Sequence, residues 1–228
     1  MERVYFYAFE DFESEKNKMN LLREYIRETL LTESVDPKIM SMIDKAEFDG
    51  LKITVSNHVE DGEVRLVRPE RKGIQAGWRE GRGPDAIRVM GSVRFMKTSE
   101  DFDGPCLQSY QVGGSRVDLG YGPLLYDVAI ELTGGLTSDR TSVSGAAEAV
   151  WDYYSKNRPD VEVVQLDIPD DYFEPQLTPE DPNDDCSQVP AYDRYGKSWH
   201  KSGLSKLIKK GATPVIDELR ARDMLVEK

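Results

Sequence analysis

A chain of 228 residues can bury a sizeable core, which points to one medium domain with extensions or to two small ones. A formal net charge of −12 argues against a general nucleic-acid or membrane binder, and 39% hydrophobic with 32% charged residues describes polar arms on an ordinary core. The two cysteines, Cys106 and Cys186, stand far apart with no CxxC and no histidine pair beside them, so free thiols are expected and no metal site is assigned.

The opening stretch, Met1 to Lys18, mixes Tyr5, Phe6, Tyr7, Phe9 and Phe12 with Asp and Glu and reads as a docking arm or terminal strand. It carries no secretory apolar core, and no apolar run in the chain approaches membrane-spanning length. Met19 to Glu33 is amphipathic, with Met19, Leu22, Ile26 and Leu30 on one face. This segment, ending in Leu31-Thr32-Glu33, resembles the leader peptides of head proteins in large tailed phages, which a prohead protease cuts after Leu-x-Glu. That resemblance implies synthesis in the host cytoplasm, packaging in the virion, and phage head or other virion proteins as partners. Asp36-Pro37 caps and opens a second helix reaching about Lys45. Residues 1–46 thus form an N-terminal arm, with 19–33 as the leader within it.

Leu51–Val55 and Val64–Val67 alternate like strands, and Asp61-Gly62 predicts the hairpin turn between them. The glycine-rich run Gln75–Pro84 reads as a loop. Ile87–Phe95 alternates well and should pair with a strand at Cys106–Val112 across a Ser99–Gly104 turn. A glycine-bearing turn, Gly113–Gly122, then precedes a helix from Pro123 whose Leu124, Leu125, Val128, Ile130 and Leu132 form a broad apolar stripe. After a turn over Gly134–Val143 comes a helix capped by Ser144 and running to Tyr154. Val161–Leu166 follows as a strand.

Strand, glycine turn and helix form an anion cradle, because free N–H groups and the positive helix end converge there. This order resembles the cofactor half of the GCN5-related N-acetyltransferases (GNAT), whose pyrophosphate loop reads Gln/Arg-x-x-Gly-x-Gly/Ala and is followed by an Asn-x-x-Ala-x-x-Leu-Tyr helix. Gly120 and Gly122 match the last two loop positions, and the first falls on Val117 with Arg116 one residue early. Ser144, Ala147, Val150 and Trp151 stand at the positions of the second motif. The resemblance spans about 60 residues. It implies an α/β (α+β) fold with a mixed, mostly antiparallel sheet flanked by helices, occupying residues 47–168. It also implies acetyl-CoA bound by Gln111, Val112, Val117, Gly120, Tyr121 and Gly122. Trp151 occupies the family's Tyr general-acid position and has no suitable proton to give, which leaves Tyr154, one turn on, as the candidate catalytic acid. Asp118, Glu100 and Asp101 are candidate bases.

Residues 169–228 read as an acidic, proline-rich linker and a basic helical extension. Pro159–Asp193 holds eleven acidic residues, six prolines and no Lys or Arg. Asp181–Asp185 resembles the start of an EF-hand loop but lacks the glycine at the sixth position (Cys186) and the closing acid (Tyr192), so that reading is rejected. Lys197–Lys210 carries five lysines and His200 and is expected to dock on the acidic stretch. Nucleic acid is not expected as a partner except through this segment. A helix from Pro214 to Glu227 closes the chain. Two functions follow: a phage-encoded acyl-CoA-dependent N-acyltransferase acting on an amine, or a non-catalytic GNAT-fold component of the phage particle.

Overall fold

The computed structural model describes residues 34–58, 60–69, 78–80, 87–117, 120–170 and 175–227. The aromatic arm, the 19–33 segment with Leu31-Thr32-Glu33, and Asp118 lie outside these residues. Residues 35–228 form one compact unit, and everything below concerns it.

Helix α1 (Pro37–Phe48) opens as expected: Asp36 Oδ1 accepts the N–H groups of Lys38 and Ile39, and Pro37 needs no partner for its nitrogen. Its Ile39, Ile43 and Ala46 are fully buried. Strands β1 (Lys52–Asn57) and β2 (Asp61–Pro69) form an antiparallel hairpin. Asp61-Gly62 belongs to β2 rather than to the turn. Gly62 lies where a Cβ would meet the Phe95 ring at 2.4 Å, so the residue serves close packing. β4 (Ile87–Lys97) pairs with β2 on one side and β5 (Tyr110–Val117) on the other, while the short β3 (Trp78–Glu80) pairs with β4 inside the stretch expected to be a loop.

The strand expected at Cys106–Val112 starts only at Tyr110. Cys106, Leu107 and Gln108 all take left-handed backbone angles (φ 43°, 54° and 52°), forming a tight turn closed by the Ser109 N–H to Cys106 carbonyl bond of 3.1 Å. Two chain contacts hold this turn: Cys106 N–H donates to the Asp185 carbonyl and Leu107 N–H to the Asn183 carbonyl. A disulfide joins Cys106 to Cys186, with Cα atoms 4.7 Å apart, and corrects the expectation of free thiols. The acidic stretch is thereby bound over the core as a wrap.

Beyond β5 come helix α2 (Gly122–Thr133), β6 (Gly135–Thr137), helix α3 (Gly145–Asn157) and β7 (Glu162–Gln165). Gly122, expected in the turn, is the first helical residue. The wrap leads into a short helix α4 (Val189–Tyr195). The basic segment then forms 3-10 turns and β8 (Lys206–Lys209) rather than a helix. Helix α5 (Pro214–Ala221) stops early, and Leu225 enters β9 (Leu225–Glu227). The sheet runs β7-β8-β6-β5-β4-β2-β1-β9, antiparallel except at β5–β6 and β1–β9. This is a mixed α/β architecture, and β8 and β9 of the expected C-terminal extension are part of its sheet.

Helix α2 crosses the middle of the sheet, with Leu124, Leu125, Val128, Ala129 and Ile130 at zero exposure. Each of these Leu, Val and Ile side chains contributes about 1.5–3 kcal/mol through burial, and the Ala129 methyl less. The same helix also buries Asp127 and Glu131. Arg158, just after α3, forks across Asp127 at 2.9 and 3.1 Å and across Asp160 at 2.7 and 2.6 Å. Lys210, after β8, reaches Glu131 at 2.7 Å and Asp127 at 3.3 Å. Glu131 also accepts the N–H groups of Val215 and Ile216 at the start of α5. Burial raises the Asp127 and Glu131 carboxyls; for Asp160, hydrogen bonds and charge from Arg158 outweigh burial and hold it below the usual range. Lys210 therefore pairs mainly with α2, and among the described residues of the acidic stretch it reaches Asp160 alone, at 3.4 Å.

Candidate functional site

β5 pairs with β4 through to Val117, but with β6 only at Tyr110–Leu136 and Gln111–Thr137. The strands diverge beyond that point. A bulge at Gly113 accompanies the divergence, since Phe95 faces Val112 and Arg94 faces Gly114, leaving Gly113 unmatched. Two adjoining cavities, of about 250 and 300 Å³, fill the opening and share Ser115, Tyr126, Ser144 and Ala147 as walls.

Both long helices of this region begin at the opening. No side chain caps α2, whose first turn follows Gly120 (φ 81°) and Tyr121. With Pro123 lacking an N–H, the Gly122 and Leu124 amides carry that helix end's donor capacity. A Cβ on Gly120 would meet nothing within 4 Å, and one on Gly122 only Val150 at 3.8 Å, so the approach is clear. At α3, the Ser144 side chain caps the Ala147 N–H at 3.2 Å as its sequence position predicts.

Of the expected cofactor residues, Val117, Gly120 and Gly122 line the first cavity and Val112 lines the second. Gln111 is elsewhere engaged: its Nε2 donates to Asp103 at 2.6 Å. The Tyr121 side chain points into the core, where its hydroxyl donates to Asp49 at 3.1 Å; burial and that carboxylate push it up to about 12. Tyr154 is fully buried and its hydroxyl donates to the Pro123 carbonyl at 2.8 Å, so it fastens α3 to the start of α2. Burial raises it well above an ordinary tyrosine, and it does not line either cavity. The position is that of a structural residue. Glu100 and Asp101 sit in the exposed β4–β5 turn, away from both cavities.

The proton-bearing groups on the walls are ones that sequence reasoning missed. Tyr126, in α2, donates to Ser115 Oγ at 3.0 Å and is braced edge-on by Trp151, with ring centroids 5.7 Å apart. Burial raises its hydroxyl. Asp139 lines the second cavity, its Oδ1 accepting from the N–H groups of Thr141 and Ser142. The adjacent Arg140 is 1% exposed and ties this wall to the rest of the fold through the carbonyls of Ser138, Ser187 and Leu204. Burial lowers its guanidinium to about 10. A tyrosine on an apolar helix stripe and an arginine in a turn carry no sequence signal that separates them from packing residues. The arrangement can hold an extended ligand with an anionic group at the α2 end and a carbonyl near the bulged β5. Compared with protein-family models, curated proteins and solved structures, the chain matches none.

Proposed function

We propose that the chain is a GNAT-like, phage-encoded N-acyltransferase that takes its acyl group from acetyl-CoA or a similar acyl-CoA. The observation that carries this reading is the meeting of the uncapped α2 start, Gly120 and Gly122 with the β5–β6 opening on one pair of cavities. A pyrophosphate at Gly120–Gly122 is stabilised by free N–H groups and the helix dipole. Backbone N–H groups of the bulged β5 polarise the thioester carbonyl. The acceptor amine attacks that carbonyl, the C–N bond forms, and the C–S bond breaks. In this reading Tyr126, whose hydroxyl now donates to Ser115, gives a proton to the departing thiolate, and Asp139 on the cavity wall takes one from the amine.

A second reading, a non-catalytic component of the phage particle, is favoured by the Cys106–Cys186 disulfide. Such a bond persists on virion and cell surfaces rather than in a reducing cytoplasm. On that reading, particle proteins analysed by mass spectrometry contain the chain beginning at Ser34, cut after Glu33.

Calorimetry with acetyl-CoA and with CoA decides between them. The enzyme reading expects saturable binding below roughly 1 mM, lost in Gly122→Glu through clash and charge while the fold is kept. It also expects Tyr126→Phe to bind acetyl-CoA but to transfer acyl groups at least about 100-fold more slowly. If neither ligand binds the wild type, the enzyme reading is abandoned.

A further inference from the structure

Three carboxylates meet where the wrap returns to the sheet. Asp167 follows β7, Asp184 and Asp185 come from the far end of the wrap, and a parallel bridge pairs Asp167 with Asp185. One oxygen from each lies within 4.8 Å of the others. Two oxygens bound to one ion at about 2.4 Å lie no more than about 4.8 Å apart, so the three are close enough to face a single ion.

Donors are spread unevenly over the cluster. Asp167 takes four hydrogen bonds, from the N–H groups of Ile168, Leu177 and Thr178 and from the Thr178 hydroxyl. That single hydroxyl proton is shared with Asp184 Oδ2 at 2.8 Å. The other oxygen of Asp184 is buried and accepts nothing, in a residue only 8% exposed. Asp185 takes a bond from Gln176 Nε2 at 3.1 Å. Among the described residues no Lys or Arg forms an ion pair with any of the three. An orphaned buried carboxylate oxygen has lost its water without gaining a partner, and a divalent ion supplies one.

We propose that Asp184 and Asp185 bind a hard divalent cation, calcium in preference to magnesium, with Asp167 adding its charge and water completing the oxygen shell. The ion closes the wrap beside the disulfide. This inference is independent of the acyltransferase reading and departs from the sequence expectation of no metal. The rejected EF-hand searched only one contiguous loop, whereas here Asp167 arrives from 17 residues upstream through the sheet.

The test uses the oxidised full-length protein at fixed ionic strength, with calcium chloride, magnesium chloride or a chelator. Calcium at about 100 times its dissociation constant should raise Tm by roughly 5–10 °C, with a smaller rise for magnesium. Asp184→Asn should lose the calcium response while its chelated form is no less stable than chelated wild type, because a like charge has gone. A direct calcium titration of the wild type should find one saturable site whether or not the variant folds. No Tm rise and no saturable site overturns the proposal. An equal calcium response in Asp184→Asn also overturns it, since that is screening of an acidic surface.

Discussion

Asp185 and Tyr154 look alike in the sequence, as polar residues at the ends of recognisable patterns, and the fold gives them opposite fates. Tyr154 ends the α3 pattern at a position that faces inward, so its hydroxyl is consumed by the Pro123 carbonyl. Helical spacing places Tyr154 on α3 but does not reveal what covers that face. Asp185 is pressed among other carboxylates, and the consequence is measurable. Its folded pKa of about 6 exceeds the ordinary value of 3.8. The folded state therefore holds the proton more tightly between these values, and this group's contribution to stability falls as pH rises through that window. With chelator present, the stability of wild type minus that of Asp185→Asn should decrease from pH 4 to pH 6 in urea unfolding. A difference that is flat or increasing over that range would remove the charge-crowding account.

At the scale of elements, the chain is legible where local chemistry decides. Asp36-Pro37 and Ser144 start helices as their capping chemistry requires, and the alternation of Ile87–Phe95 and the β-branched run Val161–Leu166 yield β4 and β7. Of the glycine turn expected over Gly113–Gly122, Gly113–Val117 belong to β5 and Gly122 opens α2, while Val117, Gly120 and Gly122 still line the first cavity of the candidate site. Tertiary constraint decides elsewhere. Cys106–Gln108 reads as apolar strand but is twisted left-handed by its ties to the wrap, and Lys206–Lys209 is drawn from a basic helix pattern into the space between β6 and β7. The disulfide is a long-range pairing that spacing alone does not specify. Because it closes a loop with a sequence separation of 80, reduction should cost up to about 4–5 kcal/mol on the chain-entropy account. Urea unfolding with and without a phosphine reductant, and of the Cys106→Ser/Cys186→Ser double variant, should show matching losses. An unchanged midpoint would mean that the wrap is held by its hydrogen bonds alone.

Across the whole molecule, the sheet is two halves joined by a very short seam. β1, β2, β4 and β5 form a continuous antiparallel body, β6, β8 and β7 form another, and only two residue pairs of β5–β6 connect them. The candidate site exists because this seam is short. Something else must hold the halves together, and the Asp127–Arg158–Asp160–Lys210–Glu131 network does so by tying α2 to residues that follow α3 and β8 and to the start of α5. Lys210 is its most exposed test, because its removal leaves three buried acids, Asp127, Glu131 and Asp160, with Arg158 as their one cation. Lys210→Met should destabilise the fold by about 3–5 kcal/mol, the usual result of breaking a buried pair from one side. Combining Lys210→Met with Glu131→Gln removes one of the uncompensated charges and should recover part of the loss. Hydrogen exchange should locate the damage: in Lys210→Met, amides of β6, β7 and β8 lose more protection than those of β2 and β4, as the second half opens first. Uniform loss over both halves would show that the seam is held by apolar packing of α2, and that the ion network sits within the core without fastening it.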